Sequence, residues 1–111
     1  MPTCNQASGK AIESPQELLR HHFCLVEFWA DWCLYSLLVK RKTEKLAELY
    51  RDRVGVGRIN AELDAWIADH LQVEYIPATL FLQEGKVVKR WYGDTPMQVI
   101  SMVVDESLRR R

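Results

Sequence analysis

Leu25-Val26-Glu27-Phe28-Trp29-Ala30-Asp31-Trp32-Cys33-Leu34-Tyr35-Ser36 runs from a short apolar segment through a cysteine into a helical pattern. Leu25 to Trp29 has the near-continuous hydrophobicity of a central strand covered on both faces, with one acid, Glu27, in its middle. From about Cys33 to Arg51 the period changes: Val39, Thr43, Leu46, Ala47 and Tyr50 recur every three or four residues as a buried stripe, and Lys40, Arg41, Glu44 and Glu48 fall on the wet face. A cysteine between such a strand and such a helix lies where unpaired backbone N–H groups and the positive helix end converge. Helix starts favour the thiolate, the species that attacks disulfides.

Working outward, Ser14-Pro15-Gln16-Glu17 reads as a helix start: a capping serine, a proline suited to the first turn and a glutamate that can close the capping box, with the helix running to about His21. Downstream, Val54 to Asn60 reads as a strand and Ala61 to about Leu71 as a helix with Leu63, Ile67 and Leu71 aligned. Ala78-Thr79-Leu80-Phe81-Leu82 and Val87-Val88-Lys89-Arg90-Trp91-Tyr92 are separated only by Gln83-Glu84-Gly85-Lys86, a hairpin-length turn, so these strands are expected to be antiparallel. Thr95-Pro96-Met97-Gln98 repeats the capping signature, followed by Val99, Met102, Val103 and Glu106 at helical spacing. The order βαβ, α, ββ, α predicts an α/β protein with a mixed sheet and helices on both faces.

At 111 residues, without internal repeats or a Pro/Gly-rich linker, the chain is expected to form a single domain over 1–111, with 1–12 loosely ordered and 109–111 frayed. Fifteen basic residues balance fifteen acidic ones, so no global field draws the chain to nucleic acid. The first residues have neither a basic start nor an apolar stretch, and no later apolar run is long enough for a bilayer; the expectation is a cytoplasmic protein with no membrane partner. The cysteines Cys4, Cys24 and Cys33 are odd in number and lack paired-ligand spacing, which argues against a disulfide framework and a structural zinc site and leaves at least one thiol free.

The segment Val26-Glu27-Phe28-Trp29-Ala30-Asp31-Trp32-Cys33 resembles the entry to the thioredoxin active site, which that family writes with Asp-Phe-Trp-Ala and Trp-Cys-Gly-Pro-Cys. The spacing continues without a gap. Arg58-Ile59-Asn60 falls at the family's Lys-containing strand end, Ile76-Pro77 at its cis-proline opposite the thiol, and Gly85 and Gly93 at its glycines, a match covering about residues 24 to 108. The resemblance implies a thioredoxin fold, a central mixed sheet of four to five strands flanked by helices, and thiol–disulfide chemistry at Cys33.

Several departures modify that expectation. Ser36 stands where the family has its resolving cysteine, so the ordinary dithiol cycle cannot run, whereas a monothiol can still capture a disulfide and exchange it onward or release it through glutathione. Leu34-Tyr35 replaces Gly-Pro, and Leu37 is an apolar residue on a charged helix face; together with Trp32, Tyr75 and Ile76 they compose an apolar and aromatic patch suited to a partner. Arg41 occupies the place of the family's kinking proline. Glu27 stands where the family has a buried aspartate that moves protons, and burial is expected to raise its pKa unless Arg58 pairs with it. A cis prolyl turn at Pro77 would leave the Ile76 backbone free to pair with an extended peptide.

The expected catalytic set is therefore Cys33, Ser36, Glu27 and Pro77, and the substrate-binding set Trp32, Leu34, Tyr35, Leu37, Tyr75, Ile76 and Gly93. No metal or resident cofactor is expected; glutathione enters only as co-substrate. Plainer readings cover the other reactive residues. Cys24 reads as a small core residue, Cys4 as an incidental thiol in a tail, and His21, His22 and His70 as charges at helix ends. Lys40, Arg41, Lys42 and Lys45 read as a solvated face, and the arginine tail is too short to argue for nucleic acid.

Two functions compete: a monothiol disulfide oxidoreductase or isomerase acting on protein or glutathione mixed disulfides, and a redox-inactive binding module or co-chaperone using the patch at Trp32, Leu34, Tyr35 and Leu37 to hold a protein client. Iron–sulfur ligation by Cys33 with glutathione is a weaker third, because the Trp-Cys context is thioredoxin-like.

Overall fold

The computed structural model describes residues 14–33 and 35–110, with the backbone alone for 35–37. Its elements are α1 (Pro15–Leu18), β1 (Phe23–Trp29), α2 (Tyr35–Leu49), β2 (Gly55–Asn60), α3 (Ala65–His70), β3 (Ala78–Gln83), β4 (Lys86–Tyr92) and α4 (Met97–Arg109). The four strands form one mixed sheet in the order β2-β1-β3-β4. β1 pairs parallel with β2 and antiparallel with β3, and β3 pairs antiparallel with β4.

With neighbours on both sides, β1 buries successive side chains on alternate faces, which explains its unbroken apolar run. Cys24, Val26 and Phe28 join Leu18, Ile67 and Leu80 on one face. Phe23 and Leu25 join Leu46, Tyr50, Phe81 and Ile100 on the other. The α2 stripe of Val39, Thr43, Leu46 and Ala47, continued by Tyr50 just past the end of the helix, is buried as its spacing predicts. Thr43 fits there because its hydroxyl lies 2.9 Å from the Val39 carbonyl and 3.2 Å from Glu27 Oε1. The hairpin closes through Glu84 and Gly85, both at positive φ (54° and 78°), which suits the glycine and matches the twist of the strands. Among the described residues no helix is long and apolar enough to cross a membrane.

Several expectations need correction. The Ser14 side chain does accept the Glu17 N–H at 3.3 Å, yet α1 ends at Leu18 instead of about His21. The His22 ring bonds Glu84 at the hairpin tip and so does not serve as a charge on the end of α1. The helix expected from Ala61 begins only at Ala65, because Asn60 Oδ1 accepts the N–H groups of Glu62 (2.9 Å) and Leu63 (3.2 Å) and holds those residues in a turn. Leu63 is consequently 81% exposed and outside the core. At α4 no side chain caps the start; Lys42 instead bonds the Asp94 carboxylate (2.6 Å) and the Thr95 carbonyl. The buried stripe of α4 is Ile100 and Val104, leaving Val99, Met102 and Glu106 exposed.

Candidate active site

The chain leaves β1 through a tight turn in which the Cys33 N–H donates to the Ala30 carbonyl (3.1 Å), placing Asp31 and Trp32 on the outside. Cys33 is partly exposed and free, two residues before α2 begins. β2 ends alongside, tied to the same corner by the Ala61 N–H on the Trp29 carbonyl at 2.7 Å. Both thiols among the described residues are unbridged, and they differ in kind. Cys24 is fully buried, its Sγ lies 3.0 Å from the Leu18 carbonyl, and burial pushes its thiol up to about 12, so it is a core group without nucleophilic use.

On the facing side, the Ile76–Pro77 bond is cis. The Pro77 carbonyl accepts the N–H of Gly93 at 2.9 Å, and Gly93 takes a φ of 82° to reach it. A groove of about 370 Å³ connects the two sides, from Trp32 to Ile76, with Glu62, Asp69, Glu74 and Tyr75 among its lining residues. It joins the chain neighbour of Cys33 to the chain neighbour of cis Pro77. Trp32 (65% exposed) donates its Nε1–H to Glu62 Oε2 at 2.8 Å, and Tyr75 (67% exposed) packs edge-on against Tyr92 with ring centroids 5.6 Å apart. A larger hollow of about 760 Å³ between the end of α2 and α4, lined by Leu49, Tyr50, Arg53, Asp105 and Leu108, shares no residue with this site.

Glu27 is 1% exposed. Its β1 position faces Arg58 in register on β2, and Arg58 Nε donates to Glu27 Oε1 at 2.8 Å, with the guanidinium 4.5 Å above the Trp29 ring. Oε1 also accepts from Thr43, whereas Oε2 has no partner among the described residues. Burial raises the pKa of Glu27 despite the lowering effects of Arg58 and Thr43. The expected pairing with Arg58 therefore exists without cancelling the desolvation.

Of the residues singled out in the sequence, Trp32, Tyr75 and Ile76 line one groove, Cys33 and Pro77 adjoin it in the chain, and Gly93 bonds the proline turn. Leu34, Cys4 and the side chains of Tyr35, Ser36 and Leu37 lie outside the described residues. The sequence reading missed Glu62, Asp69 and Glu74, because the turn after Asn60 and the packing of α3 bring distant carboxylates together, and no linear spacing marks that. It also missed the Lys42 clasp on Asp94 and Thr95, the segment that follows Gly93.

The protein-family model for thioredoxin matches residues 10–106. A thioredoxin from Chlorobaculum thiosulfatiphilum is 31% identical over 84 residues, covering 76% of this chain and 78% of the relative. Thioredoxin 2 of Chlorobaculum tepidum is 30% identical over 107 residues, 91% of this chain and 98% of the relative. Among solved structures, a mutant thioredoxin from Halobacterium salinarum superposes with a TM-score of 0.74 at 20% identity, covering 86% of this chain and 87% of that one, a likeness of fold.

Proposed function

The chain belongs to the thioredoxin family, whose function is thiol–disulfide redox chemistry, and on that premise we propose that Cys33 works alone, as a monothiol exchanging disulfides of protein clients. The observation that carries the reading is the groove joining Trp32, beside the partly exposed Cys33, to Ile76, beside cis Pro77. An extended client laid along it would bring a disulfide to the thiol.

In the first step the Cys33 thiolate attacks one client sulfur; the Cys33–client bond forms as the client disulfide breaks, and the other client sulfur leaves as a thiolate. A different client thiolate then attacks the client sulfur of the mixed disulfide, making a new client disulfide and returning the Cys33 thiolate. Electrons balance within the client, so this isomerisation needs no external reductant. Glutathione offers a second exit: its thiolate attacks the client sulfur, frees Cys33 and leaves the client glutathionylated. Ser36 cannot perform the internal resolution a second cysteine would, which makes the mixed disulfide long-lived. The proposed setting is the cytoplasm.

The test is reactivation of a protein with scrambled disulfides. The wild-type chain is expected to turn over and Cys33→Ser to lose turnover at least about 100-fold, as removal of a covalent nucleophile does. Ser36→Cys is expected to gain reduction of a stable disulfide when a dithiol is supplied. Equal turnover by wild type and Cys33→Ser would overturn the exchange reading, and retention of an unfolded client by both would support the binding module.

A further inference from the structure

The groove beside Cys33 carries charge of one sign only. Glu62 comes from the turn after β2, Asp69 from α3 and Glu74 from the segment before cis Pro77, three separate stretches converging on one hollow of about 370 Å³. No lysine, arginine or histidine is among its described lining residues. None of the three carboxylates is in an ion pair among the described residues, although other acids of the chain, Glu27, Asp94 and Glu106, are paired. Acidic and basic residues balance over the whole chain, so this hollow departs from the chain's average.

The walls are equally specific. Trp32 and Tyr75 are both largely exposed at the groove, and the bond from Trp32 Nε1 to Glu62 fixes a carboxylate at the edge of the indole. Aromatic faces beside carboxylates without an ion pair among the described residues suit a long aliphatic stem ending in a cation: the stem covers the rings and the charged head meets the acids. The same groove disfavours an anionic ligand, because three exposed carboxylates on one hollow repel a like charge, most strongly at low ionic strength.

We propose that this groove is a cation-selecting subsite, taking a lysine or arginine side chain of an extended client peptide close to the cysteine that Cys33 attacks. The inference rests on the exchange reading and deepens it. It assigns basic protein disulfides as the favoured substrates and makes glutathione, which is net negative at neutral pH, a poor direct ligand of the groove. The exchange step is unchanged; the subsite sets which disulfides arrive.

Two short peptide disulfides, identical except for arginine or glutamate two residues from the cysteine, supply the test, with the rate of mixed-disulfide formation on Cys33 as the readout. The arginine peptide is expected to react about fivefold to tenfold faster at low ionic strength, the ratio closing towards one in about 0.5 M salt as the screening length shortens. The Glu62→Gln, Asp69→Asn, Glu74→Gln triple variant is expected to slow the arginine peptide and speed the glutamate peptide. A damaged fold would slow both. Equal rates in the wild type, or a ratio that the triple variant leaves intact, would overturn the subsite. If Cys33 reacts with neither peptide the exchange reading fails, and the same two peptides with serine for cysteine still decide the subsite: tighter binding of the arginine peptide supports it and equal binding overturns it.

Discussion

A carboxyl in the middle of a buried strand must be accounted for by what surrounds it. Glu27 has two donors on one oxygen and none on the other among the described residues, and burial raises its pKa above the ordinary 4.5. Between 4.5 and that raised value the folded chain holds a proton the unfolded chain has released, so stability falls as pH rises through this window. Urea unfolding at a series of pH values is expected to show that decline in the wild type and to lose it in Glu27→Gln. Arg58→Ala is expected to cost about 3 kcal/mol or more at neutral pH, where it strands a buried carboxylate, and less in acid, where the carboxyl is neutral. The sequence exposed both members of this pair, since an acid in an apolar strand and an arginine at the family's basic position can be read directly. It could not give the balance between desolvation and pairing, which depends on how completely the sheet and α2 exclude water.

At the scale of elements, the long periodic segments were legible because their packing follows their period. β1, α2 and the β3–β4 hairpin lie where the unbroken apolar run, helical spacing and the Glu84-Gly85 turn place them. Two of the misreadings occur where a side chain engages backbone groups. Asn60 captures two N–H groups and delays α3, stranding Leu63 outside the core, and Lys42 engages Thr95 where a self-capping start of α4 was expected. Asn60→Ala is expected to destabilise the fold by about 1–2 kcal/mol, measurable by denaturant unfolding. Gly55 marks another tertiary constraint invisible in sequence: a Cβ there would lie 2.5 Å from the His21 ring, so Gly55→Ala must displace that ring and is expected to lower the unfolding midpoint.

Across the whole molecule, one sheet separates two apolar clusters, so neither half can be loosened without the strands they share. Leu80 fills the α1 and α3 side and Phe81, stacked on Phe23 at 5.7 Å, fills the α2 and α4 side. Leu80→Ala and Phe81→Ala are each expected to cost about 3–5 kcal/mol, with tryptophan fluorescence and circular dichroism still reporting one coincident transition. The same architecture assembles the candidate site, since the end of β1, the turn after β2 and the segment before β3 meet at one end of the strands. The sequence supplied the thiol and the proline turn, and the fold added the carboxylates between them.

The central claim is that Cys33 alone exchanges client disulfides, and intact-mass analysis of the chain mixed with a peptide disulfide tests it most directly. The account predicts one peptide adduct on Cys33 for each peptide thiol released, and complete discharge of that adduct, with formation of a new peptide disulfide, when excess peptide thiol is added. Adducts that spare Cys33, or none while denatured chain reacts readily, would contradict it.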